Sequence, residues 1–270
     1  MKKLMILALS LMLICACAVA SAENGVLRVG MECNYAPYNW TQAEPGDNAV
    51  AIAAGGYADG YDVRIAKLVA EGLGMELEIV KTEWEGLVPS LLSNQIDCII
   101  AGMSPTEERK MTIDFTDPYY ESEVTMCIVV RADGAYANAT TLADFSGAKI
   151  TGQLGTFHYD LVDQIPDVQK QPAMDNFPTM ITSVKANAID GYISELPGAT
   201  SATSTNPELM YIVLDGEGGF ELSPADVAIS VGVTQGSELI DSINAVLAGI
   251  SQEERRAIMA AVEADAPTAE

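Results

Sequence analysis

The stretch "YDVRIAKLVAEGLGMELEIVKT" (61–82) holds two periodicities back to back. Val63, Ala66, Leu68, Val69 and Leu73 recur roughly at the spacing of one helix face, and Gly74 supplies a stop. From Met75 onward apolar and polar residues alternate, the period of a half-buried strand. Working outward, "VLRVGM" (26–31) reads as a strand before this helix. "GLVPSLLSNQ" (86–95) reads as a second helix and "IDCIIAG" (96–102) as a buried strand after it. This β-α-β-α-β alternation predicts an α/β layered unit with a largely parallel sheet. The segment 41–60, rich in Gly, Ala and turn residues, is expected to form a long surface loop or hairpin inserted into that unit.

"EVTMCIVVRAD" (123–133) is one long extended run, after which the alternation restarts. A strand over 148–153, a helix from about Phe157 and strands over 191–194 and 211–215 predict a second, smaller α/β unit. "ATSATSTNP" (199–207) is small and polar, and is expected to be a loop. The run 226–233 is extended again, and helices are expected over 237–250 and 251–266. The second of these opens on Ser251-x-x-Glu254, the spacing of a capping box. There is no internal repeat.

A chain of 270 residues exceeds the usual single-domain size and points to two lobes. Its formal charge of −24 argues against a nucleic-acid partner, whose phosphates such a surface repels. Met1-Lys2-Lys3, the apolar run 4–19 and Ala20-Ser21-Ala22 have the order of a secretory signal peptide over 1–22. Ile14-Cys15-Ala16-Cys17 also resembles a lipobox, so lipidation of Cys17 is the other expectation for this end. Beyond the signal remain Cys33, Cys98 and Cys127. Three cannot all pair, and free buried thiols are expected rather than a disulfide framework.

The chemistry concentrates in "IIAGMSPTEERKMTIDFTDPYY" (99–120). Ligands of open α/β sheets bind beyond the carboxyl ends of the strands, and Ser104 and Arg109 follow such an end. Gly102 lets a ligand approach the backbone, the Ser104 hydroxyl can donate or accept, and the Arg109 fork matches a carboxylate. The same residues also fit a plain capping box starting at Ser104, with Arg109 paired to Glu108 or Asp114.

"GYDVRIAKLVAEGLG", "WEGLVPSLLSNQIDCIIAGMSPTEERKMTIDFTDPYY" and "GQLGTFHYDL", in this order and spacing, resemble the bacterial extracellular solute-binding proteins of the polar amino-acid family (family 3 type), receptor subunits of ABC importers. The resemblance runs from about Val26 to Ala264. It implies a two-lobed α/β fold of the type II periplasmic-binding-protein kind, with two hinge crossings, near 127–131 and 227–231, and a ligand cleft between the lobes. Lobe 1 would comprise 26–129 plus 228–270 and lobe 2 would comprise 130–227.

For the site, the resemblance implies that Arg109 holds the α-carboxylate of an amino acid. Ser104 and Gly102 would meet its charged backbone groups, and Trp84 and Tyr35 would pack on its side chain, within reach of Glu32. From the second lobe, Gly155 and Thr156, with Gln153 beside them, would donate backbone N–H groups, and Glu195 would accept the α-ammonium. Read from the residues alone, a core position for Trp84, a surface loop for Tyr35 and Glu32, and a solvated helix start for Glu195 remain the alternatives. The lone His158 reads as a helix-face residue, and a single histidine makes no metal site.

Three departures stand out: Arg64 where many relatives carry an acid, Glu195 where aspartate is usual, and no lysine-tryptophan close. The reading that follows is a secreted receptor without enzymatic activity or cofactor. It would be a monomer that hands an amino acid to an ABC permease. An enzyme of the same fold, resembling a cyclohexadienyl dehydratase, and a receptor sensor domain are the competing expectations.

Overall fold

The computed structural model describes residues 25–121, 125–223 and 227–266; the expected signal peptide and Cys17 lie outside them. Two five-stranded sheets organise the chain. In the first, Val26–Met31 lies between Glu76–Lys81 and Cys98–Ile99, parallel to both. Ala228–Thr234 then runs antiparallel to Cys98–Ile99 and pairs outward with Ile113–Glu121. In the second sheet, Lys149–Thr151 is parallel to Gln169–Lys170 and Gly191–Glu195. Met126–Arg131 runs antiparallel between Gly191–Glu195 and Leu209–Val213. The chain therefore passes from the first sheet to the second between Glu121 and Met126, and returns between Val213 and Ala228. Residues 126–129, expected with the first lobe, pair in the second sheet, and the crossing expected over 127–131 falls ahead of that strand.

The long helices follow their sequence signals. Tyr61–Leu73 buries Val63, Ile65, Ala66, Val69 and Ala70, and Gly74 closes it at φ 67°. The helix Leu239–Ala248 packs against it so closely that a Cβ on Gly72 would stand 2.5 Å from Val246. The last helix, Gln252–Asp265, starts with the expected capping box between Ser251 and Glu254. Arg64 pairs with Asp265 at 2.6 Å, joining the first helix to the last one.

Elsewhere tertiary demands overrule the local pattern. The strand expected over 96–102 is paired only at Cys98–Ile99, because Gly102 takes φ 64° and donates its N–H to the Tyr119 hydroxyl. Segment 41–60 is more ordered than a loop. Three of its strands, Asn39–Gln42, Val50–Ala51 and Tyr57–Asp59, join Asn34–Tyr35 in a small antiparallel sheet.

The expected loop 199–207 is mostly the helix Leu196–Thr205. Its hydroxyls bond back into it, Thr203 Oγ1 to the Ala199 carbonyl and Thr205 Oγ1 to that of Ser201, while Gly198, Ala199 and Ala202 are buried. Small side chains that consume their own polar groups can pack where a sequence reading sees a turn. Cys33, Cys98 and Cys127 are free and buried. Burial pushes the Cys33 and Cys127 thiols up to about 12, so they stay protonated at neutral pH.

Candidate functional site

Arg109 sits in the four-residue helix Glu107–Lys110, whose N-cap is Thr106 rather than Ser104. Its guanidinium turns back to donate to the Ser104 carbonyl at 2.8 Å and crosses the cleft to donate to the Gly155 carbonyl at 2.8 Å. It also lies over the Trp84 ring, 5.1 Å from the centroid. Burial lowers its pKa to about 10, against the pull of Glu108 and Glu85, so the group keeps its charge at neutral pH. Trp84 opens a short 3-10 turn, Trp84–Gly86, after the strand Glu76–Lys81.

Behind Gly102 runs a buried relay. Gly102 N–H donates to Tyr119 Oη at 3.0 Å, Tyr119 Oη donates to Asp62 at 2.7 Å, and Asn39 Nδ2 donates to the other Asp62 oxygen at 2.7 Å. Asn39 Oδ1 in turn accepts from the Cys33 amide at 2.7 Å. The relay ties the turn that carries Ser104 to the loop that carries Tyr35. Burial raises Asp62 to about 7, although Tyr119 and Asn39 pull it down.

The second lobe faces this half-site with the turn 152–156 and the end of Gly191–Glu195. Gly155 has φ 67°, a conformation that favours glycine, and its Cα points at Glu85 of the first lobe, where a Cβ would stand 2.5 Å away. Gln153 Nε2 donates to both Glu32 oxygens, at 3.2 and 3.3 Å, and to the Asp175 carbonyl. Burial pushes Glu32 up to about 7, moderated by this Gln153 contact. Tyr35 donates its hydroxyl to Glu195 Oε2, while its ring stacks on Phe177 at 4.5 Å and 6°. Burial would raise Glu195, yet His158 and the Tyr35 hydroxyl bring its pKa below the ordinary value.

Every residue that the sequence singled out thus meets at one seam. Tyr35, Trp84, Gly102, Ser104, Arg109, Gln153 and Thr156 line a common small cavity together with Phe157 and His158. Gly155 accepts from Arg109, while Glu32 and Glu195 are held at its margins by Gln153 and Tyr35.

Two members escaped the sequence reading. His158 is buried in the cleft, 2.9 Å from Glu195, not on an outer helix face. Phe177 starts the helix Phe177–Lys185, which begins at an Asn176 cap with proline in its first turn. That Asn-x-Pro start was a legible signal; its stacking on Tyr35 was not. Among the described residues no group of three or more His, Cys, Asp or Glu is placed to hold a metal, and no helix is long and apolar enough to cross a membrane.

Two α/β lobes joined by two crossings, with charged and aromatic groups from both meeting in the seam, define a two-lobed binding protein of the type II periplasmic class. The chain belongs to the bacterial extracellular solute-binding proteins, family 3, whose family model matches residues 27–261. It is 30% identical over 213 residues to a probable histidine-binding protein of Campylobacter jejuni, covering 76% of this chain and 77% of that one. It is 27% identical over 237 residues to the arginine-binding extracellular protein ArtP of Bacillus subtilis, covering 86% and 84%. An ancestral arginine-binding protein solved with arginine superposes with a TM-score of 0.71 at 28% identity, covering 88% of this chain and 98% of that one.

Proposed function

We propose that this protein is the extracytoplasmic receptor of an amino-acid ABC importer and that its ligand is a free amino acid with a basic side chain. The observation that carries this reading is the distribution of charge across the seam. Arg109 belongs to one lobe and Glu195 to the other, so a zwitterion has each of its charges met from an opposite side. The carboxylate of such a ligand takes the guanidinium fork of Arg109, now turned to two carbonyls, aided by Ser104 and the turn at Gly155 and Thr156. Its ammonium takes Glu195.

Trp84 and Tyr35 supply aromatic faces, which attract a cationic side chain as well as cover it. Glu32 completes the choice of side chain. A carboxyl raised to about 7 by burial is costly to ionise alone, and a bound cation offsets that cost. The relatives named for arginine and histidine agree with this class. The first lobe is built on the sheet before residue 121 and after 228, the second on the sheet between 126 and 213. Closure of one on the other is a rigid-body motion about the two crossings, favoured only by contacts made when closed. Export by the N-terminal signal, monomeric working and recognition by a permease complete the reading. No step of it needs covalent chemistry.

A thermal-shift panel of the twenty L-amino acids, on protein unfolded and refolded to strip bound solute, tests it. Ligand at 100 times its Kd stabilises by about 2.7 kcal/mol. The expected result is a rise confined to arginine and a few similar amino acids that is lost in Arg109→Ala. No rise with any amino acid, alongside turnover of a prephenate-like substrate, would transfer the site to the enzyme reading.

A further inference from the structure

His158 is the only histidine of the chain, and nothing in the receptor reading uses it. It is 4% exposed, stacked on Phe157 at 4.2 Å and met edge-on by Phe177. The positions of its protons follow from its neighbours. Thr156 Oγ1 donates its single hydrogen to the Gln153 carbonyl at 2.8 Å. At 3.2 Å from Thr156 Oγ1, His158 Nδ1 must therefore be the donor, and so carries a proton. The other nitrogen, Nε2, stands 2.9 Å from Glu195 Oε2. A neutral ring protonated at Nδ1 would direct a bare nitrogen lone pair at a carboxylate. A ring protonated at both nitrogens instead makes a buried ion pair with a carboxylate oxygen that already accepts the Tyr35 hydroxyl.

We propose that His158 is a specificity-determining residue of the cleft: it stands as an imidazolium against Glu195, in the place of a ligand's ammonium, and an amino acid binds by displacing that charge. This rests on the receptor reading given above. The exchange balances simply. The ligand keeps its ammonium and pairs with Glu195, the Nε2–H bond of His158 breaks, and the proton passes to solvent. Two cations against one buried carboxylate repel, so loss of the proton accompanies the arrival of the ammonium.

The consequence is selection by charge. A carboxylic acid without an ammonium leaves the His158–Glu195 pair intact and gains nothing from the change. The other ionisable groups around the ring are Tyr35, bonded to the same Glu195 oxygen, and Arg109, which lines the same cavity. Glu32, held by Gln153, is pushed up to about 7 by burial. Glu32 would also release a proton on meeting a cationic side chain, so the test must read the imidazole itself.

A lone histidine makes that direct. Protein labelled with 15N-histidine, purified without a histidine tag, reports both ring nitrogens of His158 in one spectrum. At pH 7 the unliganded protein is expected to show the imidazolium signature, and Glu195→Gln the neutral one. Saturation with L-arginine should convert the wild-type signal to neutral. Should Glu195→Gln fold poorly, the wild-type titration with arginine from pH 5 to 8 carries the same information. A neutral ring in the unliganded protein at pH 7, or an imidazolium that persists with arginine bound, overturns the proposal. Absence of binding by all twenty amino acids instead overturns the receptor reading and the displacement with it, while the free-protein spectrum still decides whether the ion pair exists.

Discussion

The two halves of the site are built on different principles. In the first lobe, the groups behind the turn at Gly102 and Ser104 satisfy one another, through Tyr119, Asp62, Asn39 and the Cys33 amide, all inside that lobe. In the second lobe the polar groups reach outward. Gln153 donates to Glu32, Glu195 accepts from Tyr35, and the Gly155 carbonyl accepts from Arg109. A half-site closed on itself keeps its shape whether or not the lobes meet. One whose partners stand across the cleft is completed only by closure. The difference assigns the first lobe the role of a preformed platform and the second the role of a responsive lid, since only contacts that differ between open and closed states can shift their balance.

Cutting the platform's relay should have the largest effect. Asp62→Ala leaves the buried Tyr119 hydroxyl and Asn39 amide without an acceptor and frees the Gly102 turn. We expect a loss of about 3 kcal/mol or more, read as a lower urea midpoint with an unchanged slope. If the relay is as self-contained as the bonds indicate, arginine affinity measured on the folded fraction should fall too. A variant that unfolds easily yet binds normally would show the relay to be scaffolding alone.

The corresponding cut in the lid is Gly152→Ala. Its Cβ would come within 2.6 Å of the Tyr159 amide nitrogen and 2.7 Å of the His158 carbonyl carbon, both backbone atoms that cannot swing aside. The helix Phe157–Leu161 must then shift, at a cost of about 2 kcal/mol in the manner of an overpacked core. Unlike Asp62→Ala, this variant should displace Thr156 and His158 while leaving the Gly102 turn intact. Arginine binding is expected to weaken roughly tenfold or more, with the Gly102 amide, held by the Tyr119 hydroxyl, still protected in hydrogen exchange.

The platform was also the more legible half. The helix Tyr61–Leu73, its Gly74 stop and the strand Glu76–Lys81 declare themselves in one continuous stretch, and Ser104 and Arg109 follow a strand end where ligands are expected. The lid was hidden for two physical reasons. Its helix Leu196–Thr205 opens on Leu-Pro-Gly and continues in Ala, Ser and Thr, and the Ser and Thr hydroxyls bond to nearby backbone as they do in turns. Its working contacts are long-range as well. That Phe177 stacks on Tyr35, or that His158 turns inward to Glu195, depends on how two sheets meet, and no local period encodes that. The shortened strand at Cys98–Ile99 has the same origin, since Gly102 leaves the ladder for a hydroxyl that arrives from Tyr119.

The smallest expected effect tests whether the lobes are latched by what they share. Tyr35→Phe keeps the stack on Phe177 and removes only the hydroxyl that donates to Glu195. Losing one hydrogen bond to a charged acceptor costs about 1.5 kcal/mol. It falls only on the closed form, since Tyr35 and Glu195 belong to different lobes. Stability of the platform should therefore hardly move. The free protein should become more open, read as a larger radius of gyration in solution scattering. Arginine pulls in two directions here. It must close a more open protein, yet it no longer competes with the hydroxyl for Glu195. The two contributions nearly cancel, and affinity should stay within about tenfold of wild type. A hundredfold loss would mean that the hydroxyl stays with the ligand's ammonium in the bound state. The hydroxyl of Tyr35, and not its ring alone, would then belong to the ligand subsite, and the boundary between platform and lid would have to be redrawn through it.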